Sequence, residues 1–249
     1  MSRYGTPGQR FSGLLVSPLR DYVAALDACL AKGGPAYAAI IVLSCAASWW
    51  LYVPLHELLH AFGCIVAGGR VSRLEISGVY GAALLKHLFP FVSVGSEYSG
   101  RLSGFDTGGK DYVYFLSDFS PYLLTIFLGV PLLKSVPCVN ASPLVKTFTL
   151  GVSMPLAYAP FVSITGDYYE MGSLFVSRAA SGFFLTGPER WRSDDLVKLA
   201  RELFFSKTAS GLQDFAVVST SFLLGIALIF ATYWLGTVWS NILLKKSPR

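Results

Sequence analysis

Charged residues are scarce in this chain, and their scarcity argues against an ordinary soluble fold. Only 14% of the 249 residues are Asp, Glu, Lys or Arg, whereas 53% are hydrophobic. A soluble domain usually carries about a quarter charged residues. We therefore expect an integral membrane protein surrounded by a lipid bilayer, rather than a large soluble core.

Two further features are missing from the sequence. The net charge is +5, but the basic residues are scattered and form no Lys/Arg-rich run. This pattern disfavours nucleic acid as a partner and fits attraction to anionic lipid headgroups. The four cysteines show no C-x-x-C spacing, so we expect no disulfide framework.

Long apolar segments, by contrast, are abundant and predict membrane-spanning helices, because about 20 consecutive apolar residues cross a bilayer. Pro155 and Pro160 predict a distorted third helix, since proline removes a backbone donor. The fold class is therefore expected to be mainly α: a polytopic membrane protein in which residues 36–249 form one membrane-embedded domain. Its expected spans are about 36–67, 112–133, 144–165 and 215–244.

The segments outside these spans are more polar. Residues 1–35 form an N-terminal segment, in which Ser17 and Pro18 predict the start of an amphipathic helix. This helix either lies on the membrane surface or packs on the protein's own loops. A second amphipathic helix is expected over residues 194–205, with Ser193 as its cap.

Residues 70–110 form an insert after the first span that is rich in glycine and β-branched residues. Residues 71–80 predict a strand, and the interrupted apolar stretch 81–95 is too short to span a bilayer. We expect a small β-hairpin or re-entrant element here. The stretch 99–110, rich in glycine and charge, predicts a loop.

The most informative motif lies inside the first span, where residues 56–60 read His-Glu-Leu-Leu-His. The i, i+4 spacing puts His56 and His60 on one face of a helix, one turn apart, where they can share a metal ion. Glu57 is close enough to polarise a water on that metal and to carry its proton. The motif predicts zinc chemistry within a membrane, with Zn²⁺ as the cofactor.

Catalytic zinc usually takes three protein ligands and keeps one position for water. Spans one and three run in the same direction, so the third ligand is expected at the C-terminal end of span three. Asp167 is the first carboxylate after an uncharged stretch there, and Glu170, one turn further on, is the second choice. Alternatively, Asp167 only caps a helix or marks where the chain enters water.

Asp118 lies within the second span, where a carboxylate is costly and is a candidate for function. It can bind substrate, orient a metal-ligating histidine or ligate directly. Alternatively, the span begins later and Asp118 lies at the surface. We expect His87 to be solvated or packed, and Arg178 to contact lipid rather than a substrate carboxylate.

These residues resemble the site-2 protease (M50-type) family of intramembrane zinc metalloproteases. The resemblance covers roughly residues 36–170: H-E-x-x-H in a span, a strand-rich insert, a later span bearing proline, and an Asp after the third core span. The stretch 56–63 also looks like the broader membrane zincin-like peptidases. Family members typically carry the third ligand in an Asp-Gly pair, whereas here Gly166 precedes Asp167. The sequence has no PDZ-like insert.

The resemblance implies a zinc-dependent endopeptidase that hydrolyses peptide bonds of membrane-embedded protein or peptide substrates. His56, His60 and Asp167 would hold Zn²⁺, while Glu57 would accept a proton from the metal-activated water and deliver it to the leaving amine. A helical substrate must unwind near such a site. The element 71–95 is expected to pair with the extended substrate by β-addition.

Two other functions stay open. Another membrane zinc hydrolase, acting on lipid or on prenylated protein, would keep the metal and change the reaction. A non-enzymatic transporter or scaffold would carry H-E-x-x-H by chance. Binding metal alone does not require Glu57, and a transporter more often needs polar residues distributed along its spans.

Overall fold

The computed structural model of the protein describes residues 7–31, 34–205 and 211–245, with side chains from residue 13 onward. Within these ranges the chain is mainly helical and carries one small sheet. Its strands are β1 (Arg70–Ile76), β2 (Val92–Val94) and β3 (Gly100–Asp106). Its helices are α1 (Pro7–Leu30), α2 (Pro35–Val66), α3 (Ala82–Leu88), α4 (Asp111–Phe119), α5 (Val130–Ser135), α6 (Pro143–Val162), α7 (Asp167–Phe184), α8 (Leu196–Phe204) and α9 (Leu212–Lys245).

Four helical segments in the described chain are long and apolar enough to cross a membrane: Pro35–Val66, Asp111–Ser135, Pro143–Thr165 and Leu212–Lys245. This confirms the expected mainly α fold with about four candidate spans. The second segment is irregular, because a 3₁₀ turn at Ser120–Tyr122 and a π-helical turn at Thr125–Gly129 separate α4 from α5. Pro121 lies in the first of these turns.

The chain divides into two compact units, the first formed by Met1–Tyr52, Leu123–Ala159 and Phe230–Arg249. In this unit α1 packs against α5. The Lys134 ammonium lies 3.0 Å from Asp21 Oδ2, and the buried Tyr233 hydroxyl donates to the same oxygen over 3.1 Å. One face of α1 therefore packs against the rest of this unit. Leu19 and Val23, also on α1, are exposed.

The predicted start of this helix at Ser17 and Pro18 was wrong, because α1 begins at Pro7 and contains Pro18. An internal proline leaves the carbonyl four residues earlier without its usual donor. The Ser17 hydroxyl donates to that carbonyl, on Leu14, over 2.8 Å, which lets the helix continue. Residues 1–6 and 32–33 of the N-terminal segment lie outside the described residues.

The second unit comprises Val53–Tyr122 and Pro160–Ile229 and contains the sheet. The strand order is β2-β1-β3, with β1 parallel to β2 and antiparallel to β3. The insert is therefore not the expected hairpin, since the parallel neighbours β1 and β2 need a crossover, which α3 supplies. Strand β3 lies where a loop was predicted, at an edge of the sheet, where glycine and charge are tolerated.

The sheet packs onto the part of α2 that bears the H-E-x-x-H motif. Leu58 and Ala61 of α2 form one buried cluster with Leu74 and Ile76 of β1, and Val92 of β2 joins them. Leu58, inside the motif, and Ala61, directly after it, thus anchor the sheet. This packing fixes the insert beside His56, Glu57 and His60.

Helices α7 and α8 also belong to this unit. Helix α7 was not predicted as a helix, and α8 begins at Leu196 with a different cap from the one expected. The Asp195 carboxylate accepts from the Lys198 amide over 3.0 Å, whereas Ser193 Oγ accepts from the amide of Asp195 itself. Asp195 is therefore the cap, because its carboxylate bonds an amide of the first helical turn and the Ser193 hydroxyl does not.

Candidate metal centre

The two motif histidines face each other on α2. Because they are four residues apart on a regular helix, their rings lie one turn apart on the same face. Their Nε2 atoms are 3.1 Å apart, and both residues are buried. Two imidazole nitrogens at this separation could bind the same metal ion.

Asp167 supplies a third donor from the first turn of α7. Its Oδ2 lies 3.3 Å from His56 Nε2 and 3.5 Å from His60 Nε2. The Tyr122 hydroxyl donates to the same oxygen over 2.5 Å. Burial by itself raises the pKa of Asp167, but the two histidines outweigh it and hold that pKa well below its usual range. The ionised carboxylate is the form in which aspartate binds a metal.

The three donor atoms lie within about 0.2 Å of the spacing that a tetrahedral zinc ion requires. Bonds of about 2.0–2.2 Å from zinc to nitrogen and oxygen put neighbouring ligand atoms roughly 3.3–3.6 Å apart. The observed separations are 3.1, 3.3 and 3.5 Å. Two neutral imidazoles and one carboxylate also form a typical catalytic zinc donor set with one open position. The residues present fit Zn²⁺.

The second nitrogen of His60 is held by the backbone of α4. His60 Nδ1 lies 3.0 Å from the Ser117 carbonyl oxygen, and the Ser117 hydroxyl donates to the His60 carbonyl over 2.9 Å. Since a carbonyl oxygen can only accept, the proton of a neutral His60 resides on Nδ1. This tautomer leaves Nε2 with its lone pair directed to the metal position, as in other metal sites.

Glu57 lies on the wall of the same cavity as the three donors. This cavity has a volume of about 900 Å³ and lies wholly within the second unit. Gly100, the first residue of β3, packs directly on the glutamate: a Cβ built there would overlap Cγ and Cδ of Glu57. The edge strand β3 therefore sets the position of the Glu57 side chain.

Glu170, the second choice for the third ligand, is buried but faces another partner, since the Tyr114 hydroxyl donates to its Oε1. Burial, together with the charges of Asp167 and Asp194, raises the pKa of Glu170 to about 7, against the lowering effect of the Tyr114 hydrogen bond. The structure thus assembles His56 and His60 with Asp167 and leaves Glu170 outside the donor set.

Asp118 is buried in α4, with 5% of its surface exposed, and lines the cavity. It is neither at the protein surface nor among the three donors, and the partner of His60 Nδ1 is the Ser117 carbonyl instead. Its Oδ2 atom is buried and has no hydrogen-bond partner among the described residues. A substrate-facing role is the one of its three proposed roles that fits this position.

The other two residues considered from sequence lie elsewhere. His87 is exposed on α3. Arg178, on α7, is also exposed, and its Nε lies 3.3 Å from Asp111 Oδ2. Neither residue is one of the three candidate metal donors.

Sequence reasoning missed three residues that shape this site: Ser117, Tyr122 and Gly100. Each acts through a contact with a residue far away in the chain, so no local spacing marks it. One signal was present for the first two, because both polar residues lie in an otherwise apolar span, close to Asp118. Gly100 had no such signal.

Comparisons with known protein families, with curated proteins and with solved structures give no match for this chain. The inference of function therefore rests on the residues and their geometry.

Proposed function

We propose that this protein is a zinc-dependent intramembrane endopeptidase of the site-2 protease (M50) type, embedded in its membrane as a multi-pass protein. The observation that carries the proposal is the set of three donor atoms, 3.1–3.5 Å apart, in one cavity with Glu57. An H-E-x-x-H motif alone supplies two histidines. The nearby carboxylate of Asp167 completes the donor set for a hydrolytic metal.

In the proposed reaction His56, His60 and Asp167 hold Zn²⁺. When bound, the ion supplies a Lewis acid that polarises the substrate carbonyl and acidifies water. Glu57 accepts the proton of the attacking water and passes it to the amine that leaves. Tyr122 keeps Asp167 oriented through its hydrogen bond. Retention of Glu57 beside the donors favours a hydrolase over a metal-binding scaffold.

The substrate backbone is proposed to lie along β3. This strand pairs with β1 on one side only and is thus an edge of the sheet. Five of its residues line the cavity, including Gly100 beside Glu57. An unwound peptide segment can add to such an edge through main-chain hydrogen bonds. From sequence, β-addition was expected at residues 71–95, but the strand beside the proposed catalytic residue Glu57 is β3, at residues 100–106.

The first test is the zinc content of detergent-purified protein. We expect about one zinc per polypeptide, as a three-ligand site implies, in the wild type and in Glu57→Gln. We expect loss of zinc in His60→Ala and weakened binding in Asp167→Ala. His87→Ala is the matched control, because it removes an exposed histidine outside the site. A well-folded wild type that takes up no zinc would overturn the proposal and favour a non-enzymatic membrane protein.

The second test is cleavage of single-span reporter proteins in proteoliposomes. The wild type is expected to release the reporter, and Glu57→Gln is expected to retain zinc and release none. Release of a lipid fragment instead of a peptide would assign the site to a different zinc hydrolase.

A further inference from the structure

Carboxylates outnumber cations in the cavity that holds the metal donors. Among the described residues, two arginines line it, Arg101 and Arg192. When all six carboxylates are ionised and the histidines are neutral, a bound divalent ion and these arginines still leave the cavity two negative charges in excess. The six carboxylates that line it are Glu57, Asp118, Asp167, Glu170, Asp194 and Asp195.

Asp194 and Asp195 already have a partner in the protein. Asp194 lies 3.3 Å from Arg101, and Asp195 caps α8. Arg192 is engaged by Asp111, with its Nη1 atom 3.1 Å from Asp111 Oδ1. The arginine charges are therefore committed to other carboxylates and do not neutralise those deeper in the cavity.

Asp118 and Glu170 form no ion pair among the described residues. They project from α4 and α7, are 5% and 6% exposed, and lie close enough for their charges to interact. Glu170 receives a hydrogen bond from the neutral Tyr114 hydroxyl, and Asp118 Oδ2 has no hydrogen-bond partner in the described part of the chain. A buried carboxylate without a partner is costly, and a cation that reaches it removes that cost.

We propose that Asp118 and Glu170 form a subsite for a cationic side chain, so that the preferred substrates carry Lys or Arg close to the bond that is cleaved. The subsite rests on the proposed function, since it names the substrate class of the same cavity. Long flexible stems let Lys and Arg reach a buried carboxylate while their methylene groups stay in apolar surroundings.

The test measures binding, so that it does not depend on cleavage. Fluorescent peptides with blocked termini, identical except for a central Lys, norleucine or Glu, are titrated against zinc-loaded Glu57→Gln. A charge-assisted hydrogen bond to a buried carboxylate predicts that the Lys peptide binds roughly tenfold or more tightly than the norleucine peptide, and the Glu peptide least tightly. Adding Asp118→Asn, which keeps the side-chain shape, is expected to abolish the preference for Lys.

Asp195→Asn is the matched control. It removes one charge from the wall of the same cavity but leaves Asp118 in place, so the preference for Lys is expected to survive. Equal binding of the Lys and norleucine peptides would overturn the subsite, because a neutral Asp118–Glu170 pair needs no cation. An equal loss of preference in both variants would also overturn it.

The same peptides, joined into single-span reporters and given to the wild-type protein, separate this inference from the proposed function. Cleavage without preference for Lys would refute the subsite and leave the peptidase standing. Charge-selective binding without any cleavage would refute the peptidase and keep the cation subsite.

Discussion

Gly100 lies directly against Glu57, so that the first residue of the edge strand leaves no room for a side chain beside the proposed proton carrier. The two residues are brought together by the packing of the sheet on α2. A strand that was not predicted from sequence therefore sets the position of the residue on which the proposed chemistry depends.

The first prediction concerns this contact. Gly100→Ala is expected to displace the Glu57 carboxylate and to lower kcat on reporter substrates by about 100-fold, as misplacement of a reacting group by about 1 Å does. Zinc content is expected to stay at the wild-type level, because no metal donor moves. Gly78→Ala is the control, since the nearest atom to its added Cβ is at 3.8 Å. Full activity of Gly100→Ala would contradict the role of Glu57.

The second prediction concerns the hydrogen bond from Tyr122 to Asp167. Tyr122→Phe removes the donor that orients this carboxylate, so zinc affinity is expected to fall about tenfold, the low end for loss of a residue that orients a ligand. Competition with a chromogenic chelator measures it. Tyr114→Phe, which removes a hydroxyl that donates to Glu170 instead, is expected to retain zinc affinity. Equal losses in both variants would show a general effect on folding.

The third prediction is a pH dependence of stability. The folded-state pKa of Glu170, about 7, lies above its usual value of 4.5, so the folded protein keeps a proton that the unfolded chain releases between these pH values. Glu170 therefore stabilises the folded protein below pH 4.5, and this contribution is lost as the pH rises to about 7. The free energy of unfolding is expected to fall by roughly 2–4 kcal/mol in total.

Glu170→Gln removes the titration. In chelator-treated protein its Tm is expected to exceed that of the wild type at pH 8, and the difference is expected to shrink or vanish at pH 4.5. Thermal unfolding in detergent, followed by intrinsic fluorescence, measures both values. A difference that does not change with pH would show that Glu170 does not titrate in this range.

The fourth prediction concerns the buried Asp214 at the start of α9. Its carboxylate accepts two bonds from the Arg190 guanidinium, at 2.8 and 2.7 Å, and one from Trp191 Nε1 at 2.7 Å. Asp214→Ala leaves the buried Trp191 donor unpaired, whereas water can solvate the partly exposed Arg190, so the variant is expected to lower the free energy of unfolding by about 2–3 kcal/mol. Asp195→Ala, which removes the cap of α8, is expected to cost about 1 kcal/mol. Similar losses in the two variants would contradict this difference.

The helical part of the fold was largely predictable from sequence. Long apolar segments can be read without knowing their partners, so the four candidate spans lie within a few residues of their expected bounds. The three candidate metal donors could also be predicted from sequence. The spacing of His56 and His60 puts them on one face of a helix, and the parallel direction of spans one and three points to Asp167.

The rest depended on contacts between distant residues. Residues 100–106 carry glycine and charge and form a strand only because β1 offers them an edge. The helix α7 begins with polar residues and was not recognised, since its burial comes from neighbouring elements. Pro18 suggested the start of a helix. The sequence does not reveal that the Ser17 hydroxyl bonds the Leu14 carbonyl, which Pro18 leaves without a donor.

The exchange of two hydrogen bonds between His60 and Ser117 has a consequence for assembly. The imidazole acquires the tautomer that a metal needs only when the second span has docked against the first. In the proposed zinc site, metal affinity therefore depends on the tertiary structure and not on the motif alone. Zinc retained after extensive washing would then report how much of the protein is correctly inserted, because misassembled chains would lose the ion first.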